Sequence, residues 1–290
     1  MALTSRSASG IQYIELGASD PARSLDFYRG LLGFRPAADV AWPQAEGIHW
    51  LEAGPALIKL VHVGAGDLGG WDYDDDLQRG IRHVGWKVGD VDLQAERLRD
   101  AGVEFTIEPT DAVGDVRLAF FRDPDGALLE IIDGHLRYHT TWSEELAERE
   151  RAAAAERPRT AGPAFDHVAV TVGELDATLA FYRDVLGYEV IGQLDHGGPQ
   201  GFLITYLQAG GVVLEVFTFT TPKRPNPWTP DERRLGLRTI GIGVTHPDET
   251  ARRLSEAGAH ELPGNGQDQA GGGQLLIDRD GIPLRAEPVR

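Results

Sequence analysis

Short stretches in which apolar and polar residues alternate recur along the chain, and each stretch predicts a β-strand with one buried face. In FDHVAVTV, residues 165–172, one face carries His167, Ala169 and Thr171, and the other carries three valines. A strand that is buried on one face rarely opens on an imidazole. The simple explanation is a buried histidine whose nitrogens are satisfied by hydrogen bonds.

The predicted elements follow one order throughout the chain. The strand at 11–16 precedes an amphipathic helix that ends at Leu32 and Gly33, and glycine is common just past a helix end. The strand at 81–88 precedes a helix from about Val91 to Ala101. Further apolar strands are predicted at 48–52, 56–63, 103–107, 116–122 and 127–132. The second half has the same pattern. We therefore predict an α+β fold of four βαβββ units that start near residues 11, 82, 166 and 239.

The chain also repeats its own sequence. DPARSLDFYRGLLGF at 20–34 resembles ELDATLAFYRDVLGY at 174–188, and RDPDGALLEI at 122–131 resembles IDRDGIPLRA at 277–286. LQAERLRDAGVEF at 93–105 has its counterpart at 250–262. The offset between the copies stays at about 155 residues. We predict two similar domains, residues 1–135 and 164–290, joined by a linker at 136–163 whose Ala-, Glu- and Arg-rich part, 143–158, forms a surface helix.

Charge and composition restrict the partners. The chain has 28 basic and 45 acidic residues and a net charge of −17, which argues against nucleic acid or an anionic membrane as partner. It has no cysteine, so a metal ion must be held by histidine, carboxylate or neutral oxygen donors. The first ten residues lack the pattern of a signal peptide. We expect a cytoplasmic monomer or homodimer that binds a small molecule.

Two histidine–glutamate pairs stand at matching positions in units two and three. His83 opens the first strand of unit two, and Glu130 lies in its last strand, 47 residues later. His167 and Glu215 have the same places in unit three, 48 residues apart. A lone strand histidine or glutamate is more often capped or exposed than ligating. The repetition of the pair at nearly equal spacing favours a shared role.

The neighbours of these residues support a metal site. Gly85 and Ala169 follow the histidines by two positions on the same strand face and leave room beside each imidazole. Both glutamates lie among apolar residues, where a carboxylate is costly unless it is paired or bound to a metal. Two histidines and two glutamates would hold a divalent cation and leave coordination positions for water or substrate.

The motifs resemble the vicinal oxygen chelate superfamily, which includes glyoxalase I, methylmalonyl-CoA epimerase, extradiol dioxygenases and bleomycin-resistance proteins. The FYRxxLG helix, the DPDG turn followed four residues later by Glu130, and the AGVEF segment carry the likeness. It covers nearly the whole chain apart from 136–163 and indicates a tandem two-domain member. It implies that pairs of βαβββ units face each other and form cupped sheets around a metal.

The resemblance also assigns the ligand positions. The first-strand ligand of the superfamily falls on Tyr13, His83, His167 and Thr239, and the last-strand ligand falls on Lys59, Glu130, Glu215 and Arg285. Only units two and three keep a ligand pair. The resemblance therefore implies one divalent ion (Zn, Ni, Co, Mn or Fe) held by His83, Glu130, His167 and Glu215. A complete site needs unit two to face unit three, which leaves unit one to face unit four.

This ligand set resembles that of glyoxalase I. It implies a metal-dependent isomerase, epimerase or lyase that acts on a small vicinally oxygenated substrate through an enolate-type intermediate, with Glu130 or Glu215 as the general base. An extradiol-type Fe(II) ring-cleaving dioxygenase is one alternative, although four protein ligands leave few positions for both a diol and dioxygen. A non-catalytic resistance protein is the other. The aromatic residues that could line its cups are Trp50, Trp86, Phe120, Tyr206 and Phe217.

Overall fold

Two large mixed β-sheets organise the protein, and each sheet combines strands from both halves of the chain. The computed structural model describes residues 10–38, 40, 46–198, 201–229, 233–262 and 273–289. No helix in these ranges is long and apolar enough to cross a membrane.

The first half contributes the strands of units one and two. They are β1 Gly10–Ala18, β2 Arg35–Pro36, β3 Ile48–Glu52, β4 Leu57–His62, β5 Gly80–Lys87, β6 Phe105–Ala112, β7 Val116–Arg122 and β8 Leu128–Asp133. Helix α1, Pro21–Leu25, continues as a π-helical turn at Asp26–Leu31, and helix α2 spans Val91–Asp100. These elements confirm the predicted order of strands and helices, with boundaries that shift by a few residues.

The second half repeats this order after the linker. The linker contains β9 Thr140–Thr141 and helix α3 Glu144–Glu156. The later strands are β10 Ala164–Thr171, β11 Glu189–His196, β12 Phe202–Ala209, β13 Val212–Phe219, β14 Gly236–Val244, β15 His260–Glu261, β16 Gln274–Ile277 and β17 Pro283–Pro288. Helix α4, Leu175–Leu179, continues as a π-helical turn at Ala180–Val185, and helix α5 spans Pro247–Glu256.

The strand order confirms the predicted pairing of units. One sheet has the order β15-β16-β17-β14-β1-β4-β3-β2 and joins units one and four. The other has the order β6-β7-β8-β5-β10-β13-β12-β11-β9 and joins units two and three. At the centre of each sheet, the first strands of two units pair antiparallel, β1 with β14 and β5 with β10. The division into domains 1–135 and 164–290 stays a prediction from the repeats.

The repeated tyrosine of the FYR motif ties neighbouring units together. The Tyr28 hydroxyl donates a hydrogen bond of 2.8 Å to Asp123 in the DPDG turn of the next unit. Tyr182 makes the equivalent bond of 2.9 Å to Asp278. Both tyrosines are buried in a hydrophobic core that runs through all four units. The FYR helix of one unit therefore contacts the aspartate-containing turn of the next unit in both halves of the chain.

The linker is more than a surface helix. Residues 144–156 form the predicted helix, and most of its side chains are exposed. Leu146, however, is buried against the sheet that joins units two and three. Strand β9 adds to the edge of this sheet by pairing with β11. A two-residue strand is too short to show a period in the sequence, which explains why the pattern did not predict it.

Candidate metal centre

The four predicted ligands lie on four adjacent strands of the sheet that joins units two and three. The histidines are on the central strands β5 and β10, and the glutamates are on the flanking strands β8 and β13. Across the central pair, His167 lies opposite Gly85 and His83 lies opposite Ala169. Side chains two residues apart share a sheet face, so this register places all four ligands on one face.

The four side chains converge at one point. Their candidate ligand atoms all lie within 4.8 Å of one another, and all four residues are buried. The Nε2 atoms of His83 and His167 are 3.2 Å apart. Glu130 Oε2 lies 2.9 Å from Nε2 of His83 and 3.2 Å from Nε2 of His167. Glu215 Oε2 lies 3.4 Å from both of these nitrogens.

These distances fit the donors of a single divalent ion. Donors about 2.1 Å from a zinc-like ion lie roughly 3.0–3.4 Å apart when they subtend octahedral or tetrahedral angles at it. The measured nitrogen–oxygen distances fall close to that range. Glu215 Oε2 is also buried without a hydrogen-bond partner among the described residues, which a buried carboxylate oxygen rarely is. The cluster therefore has the donors and the spacing to hold a divalent metal ion.

The charges at the cluster also suit a cation. Burial alone would lower the pKa of His167, but the carboxylates of Glu215 and Glu130 outweigh it and raise that pKa well above its ordinary value. Burial alone would raise the pKa of Glu130, but the charge of His167 and hydrogen bonds from both histidines lower it to about 2. The carboxylates around His167 therefore favour the protonated form of its imidazole and would equally favour another cation at this point.

A third carboxylate, which the sequence analysis missed, orients His167. Asp166 Oδ2 lies 2.9 Å from Nδ1 of His167, which leaves Nε2 directed at the cluster. Burial would raise the pKa of Asp166, but Lys87 and His167 lower it to about 2. Adjacent strand residues normally point to opposite faces. A register shift between Phe165 and His167 brings Asp166 to the ring, and no sequence pattern marks that irregularity.

A cavity of about 610 Å³ opens over the ligands. Of the five aromatic residues predicted to line cups, Phe120, Tyr206 and Phe217 line it. Trp86 lies in the hydrophobic core instead, and Trp50 packs edge-on against Tyr13 in the other sheet. The sequence analysis did not identify Phe202 and Arg82, which also line the cavity, because their strand positions gave no distinguishing signal.

The other sheet carries different chemistry at the matching positions. Lys59 Nζ donates to Glu15 Oε2 at 2.8 Å, and the Tyr13 hydroxyl donates to Glu287 Oε1 at 2.7 Å. A β-carbon on Gly241 would lie 2.1 Å from the Tyr13 ring, so a glycine makes room there for tyrosine. Among the described residues, the only group of three or more histidine or carboxylate side chains with metal-binding spacing is the one between units two and three.

Comparisons with known proteins agree with this architecture. Anthracycline biosynthesis protein DauV from Streptomyces sp. (strain C5) is 27% identical over 180 residues, which are 60% of this chain and 59% of DauV. The chain thus matches a little over half the length of that relative. A probable lactoylglutathione lyase from Synechocystis is 30% identical over 120 residues, covering 39% of this chain and 86% of that protein.

A solved structure shares the fold along nearly the whole chain. The crystal structure of glyoxalase I from Zea mays has a TM-score of 0.65 at 19% sequence identity and covers 97% of this chain and 92% of that one. The model of the Glyoxalase/Bleomycin resistance protein/Dioxygenase superfamily matches residues 10–131 and again residues 164–285. Two matches of this length include most of the chain, so the protein belongs to the Glyoxalase/Bleomycin resistance protein/Dioxygenase superfamily.

Proposed function

We propose that this chain is a metal-dependent lyase or isomerase of the glyoxalase type that acts on a vicinally oxygenated carbonyl compound. His83, Glu130, His167 and Glu215 would hold one divalent ion, of the Zn, Ni, Co, Mn or Fe group. The observation that carries the proposal is the buried convergence of two imidazoles and two carboxylates below an open cavity. The relative named as a lactoylglutathione lyase supports the reaction class.

The bound ion would supply Lewis-acid chemistry, since it would polarise a carbonyl and stabilise negative charge on the oxygen of an enolate. Side chains that line the cavity would orient the substrate, and a glutamate would move its proton. Phe120 and Phe217 pack against the ring of His83 with centroid distances of 5.0 Å and 6.3 Å. These rings cover part of the His83 imidazole, which is buried, and low hydration strengthens electrostatic interactions at reacting atoms.

The contacts favour Glu215 as the general base. Glu130 is the more tightly held carboxylate, at 2.9 Å and 3.2 Å from the two imidazoles, whereas Glu215 is 3.4 Å from each. Glu215 also lies opposite Tyr206 on strand β12. Burial and the charge of Glu215 raise the pKa of the Tyr206 hydroxyl, which hydrogen bonds to that carboxylate. Glu215 would thus remove a proton from the carbon beside the carbonyl while Tyr206 holds its position.

The first test is the metal content of the purified protein. One equivalent of a divalent ion in the native chain, and none in a His83→Ala/His167→Ala double variant that still unfolds cooperatively, would support the site. The reaction is then tested in deuterium oxide with a hemithioacetal, an α-keto thioester and a neutral α-hydroxy ketone. We expect solvent deuterium at the α-carbon under anaerobic conditions. Dependence of turnover on oxygen would indicate a dioxygenase instead.

The aromatic lining of the cavity favours one alternative, a protein that sequesters a small molecule without converting it. DauV is named for anthracycline biosynthesis rather than for a lyase, so the names of the relatives do not agree on one role. Tight ligand binding that is independent of metal and accompanied by no exchange of substrate protons would establish this alternative.

A further inference from the structure

We propose that the cavity selects an uncharged, largely apolar aromatic carbonyl compound, and that it does not select an anionic thiol conjugate such as a glutathione adduct. This inference deepens the proposed function and rests on it for the reaction, although the preference for a ligand class can be measured without turnover. Three features carry it: the composition of the walls, the charges at the mouth and the size of the cavity.

The cavity walls nearest the four candidate metal-binding residues are aromatic and aliphatic. Phe202 and Phe217, both in unit three, have ring centroids 5.8 Å apart and planes inclined by 36°. Phe120 in unit two lies edge-on to His83 of the same unit. The aliphatic lining consists of Ile107, Val113, Val116, Leu118, Leu128, Ile132, Leu136 and Ile204. Flat aromatic ligands gain contact area and favourable ring–ring geometry from such walls.

Arg82 is the only lysine or arginine among the described residues that line the cavity. Its guanidinium donates to Asp76 Oδ1 at 2.5 Å, to the Asp76 carbonyl at 2.9 Å and to Thr171 Oγ1 at 3.2 Å. It also stacks on Phe217, 4.4 Å from the ring centroid. The guanidinium of Arg82 is therefore already paired with groups of the protein, so it is a weak partner for a negatively charged ligand.

Three aspartates also line the cavity, and each of them forms an ion pair with an arginine: Asp74 with Arg122, Asp76 with Arg82 and Asp111 with Arg117. The side chains of these aspartates are largely exposed to solvent. A glutathione adduct carries two carboxylates and one ammonium group, and its carboxylates need cationic partners to offset their loss of hydration. Among the described residues that line the cavity, the only arginine is Arg82, which is already paired with Asp76. An uncharged ligand avoids this desolvation cost.

The size of the cavity fits a ligand of several rings. Its volume of about 610 Å³ lies within the range of roughly 300–1,000 Å³ that holds drug-sized ligands. The four-residue cluster lies at its base, since both glutamates and His83 are among the lining residues. An aromatic compound with two vicinal oxygens would place these oxygens at the cluster while its rings contact Phe120, Phe202 and Phe217.

Two probes test the preference directly. Phenanthrenequinone is planar, uncharged and has vicinal carbonyls, and the absence of cysteine in this chain removes its usual thiol targets. S-hexylglutathione represents the anionic conjugates. Titration calorimetry on the metal-loaded and the chelator-treated protein should show the quinone binding at least about tenfold more tightly than S-hexylglutathione in both forms. Equal affinities, or tighter binding of the glutathione adduct, would overturn the proposal.

Matched variants assign the preference to the cavity. Phe202→Leu should weaken quinone binding about 3–10-fold, since it removes one ring contact of ordinary strength. Phe219→Leu on β13 is the control, because Phe219 packs against Phe202 but does not line the cavity, and it should change affinity by less than about twofold. Asp76→Asn should remove the charge that pairs with Arg82 and so narrow the ratio between the affinities for the quinone and for S-hexylglutathione. Equal losses in the two leucine variants would count against the proposed binding surface.

The metal content separates this inference from the proposed function. If the native chain binds no divalent ion, the proposed function fails, while the ratio of the two ligand affinities still decides the ligand class. If the chain binds its metal and converts glutathione hemithioacetals faster than neutral α-hydroxy ketones, the ligand class is wrong and the proposed function stands.

Discussion

The ring of His167 occupies the space that a β-carbon on Gly85 would take. Such an atom would lie 2.0 Å from Cε1 of the imidazole, well inside contact distance. The two residues face each other across the central strand pair, so a side chain at position 85 would require the imidazole ring of His167 to shift. The glycine is therefore part of the candidate metal site, although it offers no ligand atom.

Gly85→Ala should displace the His167 ring and lower metal affinity at least about tenfold. The chain offers its own control, because Ala169 holds the equivalent place opposite His83 and already has a β-carbon. Ala169→Gly should retain metal. Inductively coupled plasma mass spectrometry of both purified variants measures the content, and thermal unfolding checks the fold. Full metal occupancy in folded Gly85→Ala would contradict the proposed geometry.

Asp166→Asn should weaken metal binding about 10–100-fold, which is the usual effect of losing the carboxylate that orients a ligating histidine. The reason is the 2.9 Å contact between Asp166 Oδ2 and Nδ1 of His167. Competition with a chromophoric chelator measures the affinity. Asp195→Asn, at an exposed aspartate of the same sheet, should leave the affinity unchanged.

Glu215→Gln should reduce proton exchange at the substrate by at least about a hundredfold, the usual contribution of a general base. Glu130→Gln should instead act mainly on metal content, since Glu130 contacts both imidazoles more closely. Deuterium incorporation per bound metal ion distinguishes the two roles. A larger loss per metal ion in Glu130→Gln would assign the base to Glu130 and contradict our choice.

The stability of the protein should fall as pH rises from about 4 to 7 through the contribution of Asp278. Burial raises the pKa of this carboxyl from 3.8 to about 7, despite the hydrogen bonds from Ile282 and Tyr182 that lower it. A folded-state pKa above the unfolded one gives a contribution that is complete below the unfolded pKa and is lost as pH rises through the folded one. Asp123, with a pKa of about 6, should act in the same direction.

Asp278→Asn tests this contribution because asparagine has no charge to bury at any pH. Urea unfolding at several values between pH 4 and pH 8 should show that the native protein loses stability relative to the variant over this range, by on the order of 4 kcal/mol. The plot of unfolding free energy against pH for the control variant Asp195→Asn should run parallel to that of the native protein. Parallel curves for Asp278→Asn and the native protein would show that Asp278 does not titrate in this range.

The sequence predicted the features that hydrophobic periodicity or internal repeats make visible. The βαβββ order and the two equally spaced histidine–glutamate pairs follow from patterns that recur within the chain, whereas the pairing of units two and three around these residues followed from the resemblance to the superfamily. Asp166 was not predicted because a local register shift, not a period, brings it to His167. The bond between Tyr28 and Asp123 was not predicted either, because a repeat shows that two motifs recur and does not show that they touch.

Because each sheet combines strands from both halves of the chain, the two sheets can carry different residues at matching positions. In a symmetric homodimer of one such half, every substitution would appear in both cups at once. Here the halves are covalently joined, so a substitution changes one cup and spares the other. Lys59 and Arg285 take the places that Glu215 and Glu130 hold in the opposite sheet, and Lys59 is bound to Glu15. Two different halves in one chain thus let a single molecule keep the complete candidate ligand set in one sheet and place basic residues, one of them ion-paired, at the matching positions of the other.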